Sequence, residues 1–571
     1  MEKHHHSPKS APLASTFLSL KRWYVVVILV LVGSYGTVQA WRQSMTTDEG
    51  IHVASAYLAL TRGEHRFDPE HPFLFKYLTA LPLLVLKPNL PTNDQKLWEA
   101  SRPSYYDSWQ EARQWADAWV YDSGNNAQLL IFLARIPGVL ALIALCWLSW
   151  FTTRHWFGES VARWALFFTA TNPTLLGHGP LTNTDIPLAL TVLFVLWRLW
   201  LYFEKQSWKN VAWVGVSLGI ALTTKFSAIA VLPIALLWLV YTSAQKKHGV
   251  LATISHGVAS LLITLLIIWT VYFFRSPIYL DGTTNVAVTT ASDILSKWGT
   301  SIDVLTRQVQ YILPSAYLKG MLLTVGGSIF GRSVYFVGNA YGSGVWFYFP
   351  TMFILKSQLV VILLCLTGIG LSAKRIIKPW NWKPVSVLLI LAAVILTYLS
   401  LSSKLNLGIR HISPLFPILS VYLACTAVYM KLILRKTGFA LGITLGCLLP
   451  IISQAGDLIG FSNSIVYPKE QAYRYFNDSN LDWGQQSQRI SEVVTEKFNG
   501  RKLYINYKWN PYAIGYYGTE NSQFNPENPP KGSLVAVIAT QLSAKDYVYF
   551  QDKTPDYVLD KNTYFYLIPA E

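Results

Sequence analysis
Charge is scarce in this sequence: only 14% of its 571 residues are Asp, Glu, Lys or Arg, while 52% are hydrophobic and mean hydropathy is +0.30. A soluble protein of this length rarely has such a balance, so a water-soluble multi-domain enzyme is excluded and a polytopic membrane protein is expected. Cysteine is equally sparse. The four present, Cys146, Cys365, Cys425 and Cys447, all fall inside apolar runs, which excludes a disulfide framework and a CxxC metal site. Acidic residues are outnumbered, 31 against 47 basic, for a formal charge of +16. The excess lies mainly in short loops between apolar runs and not on one continuous face, so nucleic acid is not the expected partner.

Aromatic residues are plentiful by contrast. They make up 14% of the chain, and Trp23, Trp41, Trp147, Trp150, Trp200 and Trp346 stand at the ends of apolar runs, where amphipathic rings favour the headgroup region. Apolar runs near 23–40, 128–151, 160–178, 186–203, 210–224, 226–243, 250–274, 346–371, 384–402, 412–430 and 437–455 predict about eleven helical spans, since roughly 20 residues cross the hydrocarbon. Alternate loops hold most of the Lys and Arg, for example Lys21-Arg22, Arg154, Arg163, Lys246-Lys247, Lys374-Arg375 and Arg435-Lys436. That bias places those loops and the N-terminus in the cytoplasm. The run from Trp23 reads as a retained first span and not as a cleaved signal.

The long segments then fall on the other side: 41–128, 275–345 and everything after Ala455. Three parts are expected, a cytoplasmic tail (1–22), a membrane domain (23–455, with 41–128 as its first outer loop) and a non-cytoplasmic domain (456–571). FLFKYLTALPLLVLKP is too short to span and reads as an interfacial helix, and WEASRPSYYDSWQEARQWADAWVYD as a second surface helix. After Ala455, NLDWGQQSQRISEVVTEKF predicts a helix, and KLYINYKW, SLVAVIAT and TYFYLIPA predict short strands, together a small α/β domain.

Candidate chemistry gathers on that outer side. Asp48-Glu49 follows the first span, and its residues point about 100° apart on a helix. TTDEG fits a helix start with acids favoured by the dipole, and equally a general base beside apolar walls. Asp185, in LGHGPLTNTDIPLAL, fits helix capping and, being on the same side, a second site acid. Lys225 suits either snorkelling or a site role. Arg410, in NLGIRHISPLFP, suits a phosphate fork or a lipid headgroup. His65, Glu70 and His71, with His178, are candidate ligands for a divalent metal ion, at a spacing that matches no specific signature.

Taken together, DEGIHVASAYLALTRGEHRFDPEHPFLFKYL, LLGHGPLTNTDIPLAL, GIALTTKFSA, VWFYFPTMFILKSQL, RHISPLFP and DSNLDWGQQ resemble, in order over about 45–486, the protein O-mannosyltransferase and aminoarabinose-transferase superfamily of GT-C membrane glycosyltransferases. The resemblance implies an all-α GT-C membrane fold with a small outer α/β domain. It also implies an inverting transferase that takes a sugar from a polyprenyl-phosphate carrier at the non-cytoplasmic face. Asp48 matches the base position, with Glu49 beside it, and Asp185 the second acid. Glu70-His71-Pro72 aligns with a segment reading Glu-Lys-Pro in aminoarabinose transferases, and Pro180 stands where relatives often carry Arg. Those departures shift expected phosphate and donor contacts to Lys225, Arg410 and His411, with His71 and His178 nearby and Glu70 as the metal candidate. The expected acceptor is a protein Ser/Thr hydroxyl, with a lipid A-like or cell-surface glycan as the alternative and a lipid or sugar transporter as the reading from another class. The absence of an inserted β-trefoil domain points to a bacterial or archaeal plasma membrane.

Overall fold
A computed structural model describes residues 22–63, 65, 67–91, 105–274, 312–373, 383–434, 437–507 and 512–570. The tail before Arg22, Glu64, the segment 275–311, Lys374-Arg375 and Arg435-Lys436 lie outside the described residues.

In chain order the helices are α1 (Trp23–Arg42), α2 (Glu49–Arg62), α3 (Phe73–Leu86), α4 (Tyr105–Tyr121), α5 (Ala127–Phe157), α6 (Glu159–Ala170), α7 (Pro173–His178), α8 (Asp185–Glu204), α9 (Trp208–Thr224), α10 (Val231–Lys246), α11 (Val250–Val271), α12 (Ser315–Phe330), α13 (Tyr348–Lys356), α14 (Leu359–Ala373), α15 (Pro384–Ser402), α16 (Leu415–Leu434), α17 (Thr437–Ile452) and α18 (Ser487–Phe498). Local chemistry sets several of these limits. Asn126 and Asn172 accept the backbone N–H of Leu129 and Leu175, each satisfying a donor that a helix start leaves open. Gly63, at φ 66°, ends α2 in the left-handed conformation glycine adopts without strain.

Each of the eleven predicted runs carries a helix, and the helices differ in length. Among the described residues seven helices are long and apolar enough to cross a membrane, or eight if α13 and α14 form one span bent by 120°. Helix α6 has 12 residues, α9 17 and α17 16, whereas a rise of about 1.5 Å per residue demands about 20 to cross. At the α13/α14 break Asn463 Nδ2 donates to Ile354 O (2.5 Å) and to Ser357 O (2.8 Å). Backbone freed by a broken helix is thereby satisfied inside the protein, as an apolar surrounding requires.

The two segments expected as surface helices form α3 and α4, and both pack on the rest of the protein. Helix α3 packs on α2, α5 and α9, its Lys76 is buried, and the residues it exposes, Leu78, Leu81 and Val85, are apolar. Helix α4 buries Trp115, Trp119 and Asp117, with Ala513 of the C-terminal region in the same apolar cluster.

After α12 a short hairpin pairs β1 (Val334–Phe336) with β2 (Asn339–Tyr341). The C-terminal region holds β3 (Leu503–Ile505), β4 (Asn521–Ser522), β5 (Leu534–Ile538), β6 (Tyr557–Leu559) and β7 (Thr563–Leu567) in one sheet of order β4-β3-β5-β7-β6. Strand β3 runs parallel to β4 and β5, and β7 is antiparallel to both β5 and β6. The three predicted strands are β3, β5 and β7. Leu534, Ala536 and Ile538 face a core shared with α18, while Val535 and Val537 join the main cluster of the helical bundle. A sheet covered on both faces explains why β5 is uniformly apolar instead of alternating.

Candidate functional site
Four interruptions of helix meet beside one cavity of about 260 Å³, whose lining takes residues from all of them but the start of α8. They are the α1–α2 link ending at Asp48, the start of α8 at Asp185, the α9–α10 break at Lys225, and a single 3-10 turn, Ile409–Ile412, carrying Arg410. The Arg410 guanidinium joins the two predicted acids, donating from Nη1 to Asp185 Oδ2 (3.1 Å) and from Nη2 to Asp48 Oδ2 (3.4 Å). Lys225 Nζ donates to the other Asp185 oxygen at 2.5 Å, and Arg113 Nη2 stands 3.8 Å from Asp48 Oδ1. Three cations against two carboxylates leave one positive charge in this ring.

Neither acid spends its side chain on capping. Asp48 occupies the position before α2 without a side-chain cap and stays 30% exposed to the cavity. Burial alone would raise its pKa, but Arg410, then His52 and Arg113, hold it below the ordinary carboxylate range. The same carboxylates, with Asp478, push Arg410 above its usual value against the effect of burial. Burial first, then Lys225 and Arg410, push His411 down to about 3, so it lines the cavity as neutral imidazole.

Glu49 is removed from the expected reacting set. Its oxygens accept from Arg135 Nε (2.8 Å) and Nη2 (2.5 Å), from Thr46 N (2.8 Å) and from Thr182 N (2.9 Å). The remaining Arg135 donors close on the carbonyls of Ala40, Gln43 and Ser44. This buried pair fixes the α1–α2 link to α5. Gly138 on α5 permits the close approach of the α7–α8 loop, which carries Thr182, because a Cβ there would lie 2.5 Å from Leu181 O.

Two further expectations change. His178 is fully buried behind Trp483, ring centroids 5.8 Å apart, and does not line the cavity. Glu70 lines the cavity but is paired with Arg332 at 3.1 Å, and His65 bonds to the Tyr77 hydroxyl at 2.6 Å. The side chains that approach one another as metal donors are instead His52, Asp68 and His71, with ligand atoms within 4.8 Å. Two imidazoles and a carboxylate suit a zinc-like ion, yet Asp68 Oδ2 already accepts from Lys76 Nζ (3.1 Å) and contacts His52 Nδ1 (2.9 Å). The Lys76 ammonium thus supplies the charge such an ion would bring, and a metal fits only by displacing it. Burial opposes ionisation of Asp68, but Lys76 and the two imidazoles outweigh it and hold the carboxyl well below its ordinary range. His71, largely desolvated and beside His52, is pushed down to about 4.

Several lining residues escaped the sequence reading. His52 lies one helical turn beyond Asp48 and carried that signal alone. Trp483 stacks on Arg410, 3.9 Å from guanidinium to ring centroid, and its carbonyl accepts from Thr47 N at 2.8 Å. The predicted helix over 480–498 begins only at Ser487, because Asp482 Oδ1 accepts from Gly484 N and Gly484 turns at φ 89°. The stretch 478–484 is therefore a 3-10 turn (Asp478–Asn480) continued by loop, and its Asp478, Asp482, Trp483 and Gly484 line the cavity.

Residues 127–274, about a quarter of the chain, match the family model described as dolichyl-phosphate-mannose-protein mannosyltransferase. That stretch includes Asp185 and Lys225, and the match bears out the resemblance to GT-C membrane glycosyltransferases. Among solved structures, ArnT from Cupriavidus metallidurans is similar in its apo state (12% identity, 96% of this chain, 98% of that chain, TM-score 0.48) and bound to undecaprenyl phosphate (11% identity, the same shares, TM-score 0.45). The Archaeoglobus fulgidus oligosaccharyltransferase in its apo form is similar at 12% identity over 91% of this chain and 70% of that one, with a TM-score of 0.47. No curated protein sequence matches.

Proposed function
We propose that this integral, multi-pass membrane protein transfers one monosaccharide from a polyprenyl-phosphate donor to an acceptor hydroxyl at the non-cytoplasmic face, with inversion at the anomeric carbon. The observation that carries the reading is Arg410 held between Asp48 and Asp185 with Lys225 behind, at the mouth of a helical bundle. The residual positive charge of that ring suits a phosphodiester monoanion, whose isoprenoid tail stays in lipid while the headgroup enters the cavity. At roughly 30 Å³ per water, a space of about 260 Å³ suits one sugar ring rather than an oligosaccharide.

In the reaction the acceptor oxygen forms a bond to the anomeric carbon as the bond from that carbon to the phosphate oxygen breaks. The bonding pair leaves with the phosphate, and the hydroxyl proton passes to Asp48. Arg410 and Lys225 stabilise the charge growing on the leaving group, and Asp185 orients both. The description of the matching family model supports a protein Ser/Thr hydroxyl as acceptor; GT-C catalysis on a lipid A-like or cell-surface glycan acceptor uses the same ring. His71 and His411 act here as neutral walls of the donor site.

The test is transfer of radiolabel from polyprenyl-phosphate sugars by protein in nanodiscs, with peptide or membrane extract as acceptor. Asp48→Asn is expected to lower turnover by about 10²-fold or more with its melting temperature unchanged. Near-normal turnover in that variant would sink the assignment of the base. Label crossing sealed vesicles without changing covalent partner would favour a transporter instead.

A further inference from the structure
The transferred sugar and the phosphate share one oxygen, so a donor held by Arg410 and Lys225 must present its ring to the rest of the same cavity. Part of that lining comes from loop 478–484 of the C-terminal region. The loop is fixed to the membrane half at several points. Ile409 N donates to Asn480 Oδ1 (2.9 Å), Asn480 Nδ2 to the Tyr348 hydroxyl (2.8 Å), Arg410 Nε to Ser479 Oγ (3.1 Å), and Lys356 Nζ to the Asn480 carbonyl. Asp478 sits at φ 57° within it, a left-handed conformation that Asp adopts more readily than most non-glycine residues.

Two carboxylates project from this fixed backbone into the cavity. Asp482 is 8% exposed, and its partners are the Gly484 N–H and the Asn562 amide. Asp478 accepts from Ser479 N at 2.5 Å. Among the described residues neither is in a salt bridge, unlike Asp48 in the same cavity and the buried Asp185 beyond its lining. Burial raises both carboxyls above the ordinary range, Asp482 to about 7, and a carboxyl in either protonation state keeps an oxygen that accepts, so each retains capacity for a ligand that donates hydrogen bonds. A sugar ring supplies such donors, and a bare phosphate supplies none.

We propose that Asp478 and Asp482 form the subsite for the hydroxyl groups of the transferred sugar, so that sugar selection resides in the C-terminal region while phosphate binding resides in the membrane half. This rests on the polyprenyl-phosphate reading above.

Equilibrium binding to the full-length protein in nanodiscs tests it, with undecaprenyl phosphate and its hexosyl and pentosyl esters as probes. Wild type is expected to hold at least one ester more tightly than bare undecaprenyl phosphate. Asp478→Asn and Asp482→Asn, which keep side-chain shape, should each reduce affinity for that ester about tenfold and leave the bare lipid within about twofold. A variant that weakens both probes equally, or neither, overturns the subsite. If wild type binds ester and bare lipid alike, the subsite fails and the donor reading stands; if it binds neither, both fail.

Discussion
Asp48 and Glu49 are adjacent, and the helix they begin turns their side chains about 100° apart. One points to a cavity and two cations, Arg410 and Arg113, the other to a buried arginine and two backbone N–H groups. Only the first keeps an exposed oxygen, so only the first is free to take a proton. Its pKa is depressed mainly because Arg410 outweighs burial, which fixes the sign of a pH effect. The ionised base is present above its folded pKa and is lost only as pH falls through that depressed value. Wild-type turnover should therefore keep its acid limb below the ordinary Asp value of about 3.9. In Arg410→Gln the remaining turnover should fall away at higher pH, as measured by the pH profile of kcat/KM. An unmoved limb would mean that Arg410 does not set the protonation of the base. The acids, Lys225 and Arg410 were legible as residues, because charge at the end of an apolar run is conspicuous. That a single guanidinium joins residues 48, 185 and 410 was not, since nothing local records a contact across 362 positions.

At the scale of elements, the site is made by helix ends. The ends of α1, α7, α9 and α15 bring irregular backbone to one depth, and the Glu49–Arg135 pair locks the first of them to α5. Breaking a buried pair from one side leaves the other charge uncompensated, at a cost of about 3–5 kcal/mol. Glu49→Gln is thus expected to lower the melting temperature strongly where Asp48→Asn does not, as followed by thermal unfolding in detergent. Equal melting of the two variants would contradict the division between them. Strands β3, β5 and β7 were legible from their apolar and aromatic runs. Residues 480–486 read as helix because their apolar spacing continues into α18, and the Asp482-to-Gly484 turn overrides that pattern.

For the whole molecule, the core does not stop at the last membrane helix. Leu458, Phe461, Ala472, Phe476 and Val535 share one apolar cluster with residues from α5, α6 and α8. Backbone bonds also tie Ser44 N to Gln485 O (3.1 Å) and Thr47 N to Trp483 O (2.8 Å), directly before Asp48. We therefore expect a chain ending at Ala455 to lose both monodispersity and transfer activity, and the separately made residues 456–571 not to restore them, with size-exclusion profiles and label transfer as the measurements. A monodisperse, active fragment would show that the two parts are independent.

The sequence by itself determined that the chain lives in a membrane, where its apolar runs lie and which outer segments carry charge, because hydropathy and charge scarcity act locally and additively. Only the tertiary structure decided which acid faces the cavity, that Lys76 already neutralises Asp68, and that a loop of the C-terminal region lines the site. Those outcomes depend on distant groups competing for the same few polar atoms, and in an apolar interior each such atom must find a partner wherever the fold brings one.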